Sequence, residues 1–367
     1  MYSDPPGDAR ASHPFHMYDE ITAQPEAVRR ALQESQEHGV GAVRALAGAR
    51  RIFVAGCGTS FHAAQCGAWF LEAFSAGKLE ARAVQAYELL TYQPGLRPDD
   101  VVIAISHSGT TTMVRRVVDR AHRSGAETVA VTGFPESPLA KAARYVVPTG
   151  YAEERSWAHT VSYTASLTTL ASLANDLATP EERLDLTQLP DVMADALTLE
   201  EMARRVAAST LLAERFREPS RIVIVGAGPN AATASEAKLK LLETSYVAAD
   251  AFELEEMLHG PLAAVTQDSL LIVLAPAGRS TERLSSLVWA ARELGTAPVV
   301  LSGSDNADAF EEAHRLLMPD LPEILSPIPY VVPLQLFSYF LAAGKGINPD
   351  LIHRDDERYR AARARYE

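Results

Sequence analysis

A chain of 367 residues exceeds one typical core, which points to two domains. Hydrophobic residues at 47% and charged residues at 22% are ordinary for a soluble globular protein, and no apolar run reaches the ~18 residues a bilayer span needs. A formal net charge of -13 excludes a protein built to grip nucleic acid through bulk positive charge, while a small anion held by local N–H groups stays open.

In chain order, Met1 to His16 is polar and broken by Pro5, Pro6 and Pro14, and reads as a flexible tail. It carries no apolar signal-peptide core, so a cytoplasmic location is expected. Short apolar runs at 51–55, 101–105 and 128–132 read as buried parallel strands, with helices near 60–75 and 111–124 between them. Helices from Thr160 to Ala178 and from Leu197 to Phe216 follow, with Pro180 and Pro190 marking a linker. Strands then recur at 221–225, 270–275 and 298–302, with helices near 231–245 and 280–295. Alternating strand and helix implies parallel sheets covered on both faces. Cys57 and Cys66 are too few for a disulfide framework or a four-ligand zinc site, so neither metal nor cofactor is expected.

The second set of elements repeats the first. RIFVAGCGTS at 51–60 returns as RIVIVGAGPN at 221–230, an offset of 170 residues. At the same offset AHRSGAETVAVTG (121–133) lies over ARELGTAPVVLSG (291–303), and VVIAIS (101–106) over LIVLAP (271–276). Strand–glycine–helix steps are common in α/β proteins, but three blocks at one spacing indicate a duplication.

Ligands of parallel α/β sheets bind beyond the carboxyl ends of the strands. There the first copy has Gly56-Cys57-Gly58-Thr59-Ser60 and Ser106-His107-Ser108-Gly109-Thr110-Thr111-Thr112. One hydroxyl would suffice to cap a helix, whereas this second turn offers five, which suits a phosphate dianion. The second copy reads Gly226-Ala227-Gly228-Pro229-Asn230 and Pro276-Ala277-Gly278-Arg279, where Pro229 and Pro276 remove N–H donors. The G-x-G-x-x-A pattern there lacks a ribose-binding carboxylate, so a nucleotide-dependent dehydrogenase is disfavoured.

MYDEITAQPEAVRRAL at 17–32, GCGTS at 56–60, ISHSGTT at 105–111, KLKLLETSYVAADAFELEEMLHGPLA at 238–263 and PIPYVVPLQLFSYFLAAGKG at 327–346 resemble the sugar isomerase (SIS) family. The likeness is to the isomerase half of glucosamine-6-phosphate synthase and to amino-sugar phosphate deaminases and deglycases, without the glutaminase domain. The resemblance implies two tandem SIS domains, each a three-layer α/β/α parallel sheet of flavodoxin-like type. The expected limits are 1–16 for the tail, 17–190 for the first domain, 191–345 for the second, and 346–367 for a segment closing the site. It implies phosphate binding by Ser106, Ser108 and Thr111 with Gly58, Thr59 and Ser60 alongside. It makes Glu243 the proton shuttle between C1 and C2, and His259 the group that opens the ring. His259 is expected to enter from a neighbouring subunit, hence a homodimer. The two copies would thus divide an anion site from an acid–base set within a composite active site.

Departures from the family are informative. No lysine follows Lys345, so the imine-forming lysine of the synthase has no counterpart in NPDLIHRDDERYRAARARYE. A substrate that already carries nitrogen would not need one, which favours an isomerising deaminase or deglycase of a 6-phosphorylated amino sugar. The alternatives are an aminotransferase subunit fed by external ammonia and a sugar-phosphate sensor without chemistry. His353, Arg354 and Tyr359 stand where the tail would close the site. Trp157 and His159 replace smaller residues of the sugar pocket, His107 replaces a glutamine, and Glu154 is placed to meet a substrate amine.

Overall fold

The computed structural model describes residues 9–93, 95–216 and 221–365. Among them, β1 (Arg51–Gly56), β2 (Ala81–Gln85), β3 (Asp100–Ile105), β4 (Glu127–Thr132) and β5 (Tyr145–Pro148) form one sheet in the order β2-β1-β3-β4-β5. A second sheet holds β6 (Ile222–Gly226), β7 (Ala249–Glu253), β8 (Leu270–Ala275), β9 (Val299–Ser302) and β10 (His314–Leu317) in the order β10-β9-β8-β6-β7. Every pairing is parallel. Counted along the chain, both sheets have the 2-1-3-4-5 order of flavodoxin-like domains, as expected for two SIS repeats.

The six expected strands are the interior and near-interior ones, and each is an almost continuous buried run. Val102 and Ala104 of β3 pack against Val114, Val117 and Val118 of the helix Thr112–Arg123, all buried in one cluster. In the second sheet, Val223, Val273 and Leu287 occupy the corresponding cluster. Each of these buried Val and Leu side chains contributes about 1.5–3 kcal/mol by leaving water. The helices Val161–Asn175 and Pro327–Gly344 are buried almost throughout. The first is rich in Ser and Thr, whose hydroxyls turn back on carbonyls of the preceding turn, as Ser166 does on Ser162 O at 2.7 Å. Among the described residues no helix is long and apolar enough to cross a membrane.

The repeated arginine at the start of each copy ties strands together at the amino end of its sheet, but to different neighbours. Arg51 grips Asp100 of β3 with Nε at 2.9 Å and Nη2 at 2.7 Å. Arg221 reaches the other way, to Asp250 of β7, at 2.8 Å and 2.7 Å.

The chain forms two compact units: Ala23–Glu154 with Val161–Asp191, and Met1–Thr22 with Arg155–Thr160 and Val192–Glu367. In this division the chain passes from one unit to the other between Asp191 and Val192, and 17–22 and 155–160 group with the later half of the chain. The expected flexible tail also needs correcting from residue 10 onward; residues 1–8 lie outside the described residues. His13 Nδ1 lies 2.7 Å from the Tyr339 hydroxyl, and Phe15 N donates to that hydroxyl at 3.1 Å. The N–H groups of His16 and Met17 donate to the Asp350 carboxylate at 3.0 and 2.8 Å, which caps the helix His16–Thr22. These anchors lie more than 300 residues along the chain, beyond the reach of any local pattern.

Candidate functional site

In the first sheet β1 and β3 are neighbours, and their following helices leave in opposite senses along the strand order, so the crevice between their carboxyl ends is the topological switch point. Both turns that were expected to bind phosphate open there. Gly58 has φ +56°, and a Cβ at this position would meet nothing within 4 Å, so conformation and not crowding demands the glycine. Thr59 and Ser60 begin the helix Thr59–Phe74, whose N-terminus has no side-chain cap. The helix Thr112–Arg123 likewise lacks a side-chain cap, although Thr111 stands at its N-cap position. The hydroxyls bond one another instead. Ser106 Oγ lies 2.9 Å from Thr111 Oγ1, and Ser108 Oγ lies 2.8 Å from Thr110 Oγ1. Gly109 N donates to Ser106 Oγ at 3.2 Å. A cluster of hydroxyls that can rotate, set at the start of a helix, is what a phosphate dianion requires.

His107 sits in the same turn, between Ser106 and Ser108. Its ring meets Phe134 edge-on at 5.5 Å, and Nε2 lies 3.9 Å from the Glu154 carboxylate. That carboxylate is fully buried and accepts from the Ser162 hydroxyl and from Ser162 N. Glu154, expected to meet a substrate amine, is thus engaged by Ser162 in this structure. Each of its oxygens accepts a bond at the start of the helix Val161–Asn175, where a carboxylate suits the positive end of the helix.

In the other unit, Glu243 lies on a distinctive turn. The helix Asn230–Lys240 passes into a π-helical turn, Leu241–Ser245, which ends at Tyr246 with φ +55°. Single π turns are rare and concentrate at functional sites, because the extra residue re-aims a side chain. Glu243 is about one-quarter exposed, and its Oε2 lies 2.5 Å from Lys240 Nζ. Lys240 is fully buried and also lies 3.4 Å from Glu236, itself fully buried. Two carboxylates thus share one lysine. Sequence reasoning missed Lys240 and Glu236; the signal was a lysine spaced i, i+4 and i, i+3 from two glutamates on an otherwise apolar helix.

The tail residues gather beside this turn. The His353 ring stacks on Tyr246 at 3.6 Å and on Tyr359 at 4.2 Å, and His353 N donates to the Tyr246 hydroxyl at 2.9 Å. Burial pushes the Tyr246 hydroxyl above its usual range, so it stays protonated. Arg354 lays its guanidinium 3.7 Å over the Trp157 ring, joining two of the expected sugar-binding residues to each other. Trp157 N donates to Asp350 O at 2.9 Å, and Ser156 N donates to Glu20 at 3.0 Å, which holds the 155–160 stretch. His159 is half-buried in that stretch.

His259 does not join Glu243. It ends the helix Leu254–Leu258, its side chain is 75% exposed, and Nε2 lies 3.2 Å from Glu255.

The SIS domain family matches residues 45–175 and 215–344. Glutamine–fructose-6-phosphate aminotransferase (isomerizing) of Pyrococcus horikoshii is 29% identical over 350 residues, which cover 93% of this chain and 57% of that protein. The same enzyme of Thermococcus kodakarensis is 30% identical over 354 residues, with 93% and 57% covered. The chain thus spans a little over half the length of these curated relatives. Among solved structures, the C-terminal domain of glucosamine-fructose-6-phosphate aminotransferase from Francisella tularensis aligns with a TM-score of 0.83 at 22% identity, covering 92% of this chain and 98% of its own. Glucosamine-6-phosphate deaminase from Thermotoga maritima aligns at 0.72 and 21%, covering 92% and 97%. These two likenesses speak to the fold.

Proposed function

We propose, starting from a chain that belongs to the SIS domain family, that it is a phosphosugar isomerase acting on a 6-phosphorylated amino sugar with release of the amine. The observation that carries the reading is Glu243 on its π turn, partly exposed and held by the buried Lys240. The turn of Ser106, Ser108 and Thr111, with Gly58, Thr59 and Ser60, anchors the phosphate. Glu243 removes the C2 proton of the open-chain amino aldose and returns it to C1. The amine gives up one proton and O1 takes one as the double bond moves to C2–N; water then adds at C2 and the nitrogen leaves, giving a ketose phosphate and free amine. The substrate supplies its own nitrogen, so this route needs no imine-forming lysine. A positioned carboxylate of this kind contributes roughly 10²–10⁴-fold.

The exposed ring of His259 suits a role across an interface in a homodimer, where it would assist ring opening near neutral pH. Trp157, Arg354 and His353 line the sugar from the side of the tail.

Glu243→Gln tests the reading. Release of ammonia or amine from a panel of 6-phosphorylated amino sugars should fall by about 10²-fold or more, while sugar-phosphate binding is retained. Undiminished release in that variant would remove Glu243 from the reaction. A native chain that binds the panel tightly and turns over none of it would favour a sensor.

A further inference from the structure

At the 170-residue offset, Gly278, Arg279, Ser280 and Thr281 of the turn after β8 fall on Ser108, Gly109, Thr110 and Thr111 of the phosphate turn. The sequence attributes the second turn's silence to proline. Donors are nevertheless present, and they are taken. Arg279 N donates to Glu323 Oε2 at 3.0 Å, and the Ser280 hydroxyl donates to Glu323 Oε1 at 3.2 Å. One carboxylate oxygen meets an amide and the other a hydroxyl, as two oxygens of a phosphate would. A Cβ on Gly278 would come within 2.3 Å of Glu323 Oε2, so this glycine makes room for the carboxylate.

The turn after β6 is fastened to the same segment. Asn230 Nδ2 donates to Ser326 Oγ at 2.7 Å, and that hydroxyl donates to Glu323 O at 2.6 Å. Residues 323–326 therefore fill the switch point of the second sheet from both of its strands, β6 and β8.

We propose that Glu323 is the built-in occupant of a second oxyanion cradle, and that removing its carboxylate turns the β8 turn into a site for inorganic phosphate or a phosphate monoester. The inference rests on the reading of the first turn as a phosphate site only for the parallel between the two turns.

The test is thermal melting of the native chain, Glu323→Ala and Glu323→Gln in chloride, formate and phosphate at equal ionic strength. In chloride Glu323→Ala should melt roughly 5 °C below the native chain, from the lost charge-assisted bonds. Formate or phosphate should close most of that gap. In Glu323→Gln the amide still fills the space, so its gap should not depend on the anion. A Glu323→Ala gap that is absent, or equal in all three salts, overturns the proposal, as does an anion-dependent gap in Glu323→Gln. If Glu323→Ala does not fold in chloride, recovery in formate or phosphate alone supports it, and failure in all three salts refutes it. A native chain whose melting ignores phosphate would tell against the first-turn site and leave this comparison intact.

Discussion

Replacing Lys240 with methionine keeps most of the length of the side chain and deletes its charge. Lys240 Nζ is fully buried, 3.4 Å from a fully buried Glu236 and 2.5 Å from the partly exposed Glu243. Unit charges 3.4 Å apart attract by about 5 kcal/mol at an effective dielectric of ~20. Removing the lysine also relieves its own desolvation, so the net loss is smaller; breaking buried pairs typically costs about 3–5 kcal/mol. We expect Lys240→Met near the low end, about 3 kcal/mol, because Glu243 reaches solvent. For a body of this size that is roughly 6–12 °C in melting temperature. The double variant Lys240→Met/Glu236→Gln removes both buried charges and should recover to within about 1 kcal/mol of the native chain. Urea unfolding followed by circular dichroism at pH 7 measures all three. If Lys240→Met unfolds within 1 kcal/mol of the native chain, or the double variant is no more stable than the single one, the shared-lysine account fails.

Two further expectations follow from the sites. If His259 serves the active site of a second copy in a dimer, mixing inactive Glu243→Gln with inactive His259→Ala should restore about a quarter of native turnover, since half the dimers carry one intact site; no recovery on mixing would place His259 within its own chain or outside the reaction. Burial raises the Asp100 carboxyl, but the Arg51 guanidinium and Arg97 N–H outweigh it and leave the group below its ordinary value. A lowered carboxyl stabilises the fold above its unfolded value near 3.8 and loses that contribution as pH falls through the folded value. The stability gap between the native chain and Asp100→Asn should therefore be constant above about pH 5 and shrink below pH 4; a gap that widens with acid would contradict the sign.

The strands that the sequence reveals and those it hides divide by position in the sheet. The runs at 51–55, 101–105 and 270–275 belong to strands covered on both faces, which must be apolar at every residue. The strands absent from the sequence reading are β2, β5, β7 and β10, all at sheet edges. Their burial is partial, as in ADAFE of β7 and HRLL of β10, so neither period nor apolar run marks them. The hydroxyl-rich turn at 106–112 stands out in the sequence because its residues are contiguous. The environment of Glu243 does not, because charges at i, i+4 ordinarily mean a solvated face, and only packing shows Lys240 to be buried. Glu323 had no local signal at all, since its meaning depends on a turn 44 residues earlier.

The strap from residue 10 to 22 bears on how separable the two halves are. A duplicated gene suggests interchangeable modules, each able to be excised at the linker. Yet the later half keeps its Tyr339 hydroxyl and Asp350 carboxylate engaged by amides from the opposite terminus, and further borrows 155–160 from midway along. Cutting at the linker would strip it of both. Synthesis runs from the amino end, so Phe15, His16 and Met17 meet Tyr339 and Asp350 only after more than 300 further residues have been made. In lineage the halves are copies; in assembly, the later one is complete only when segments made first, midway and past residue 339 have all come together.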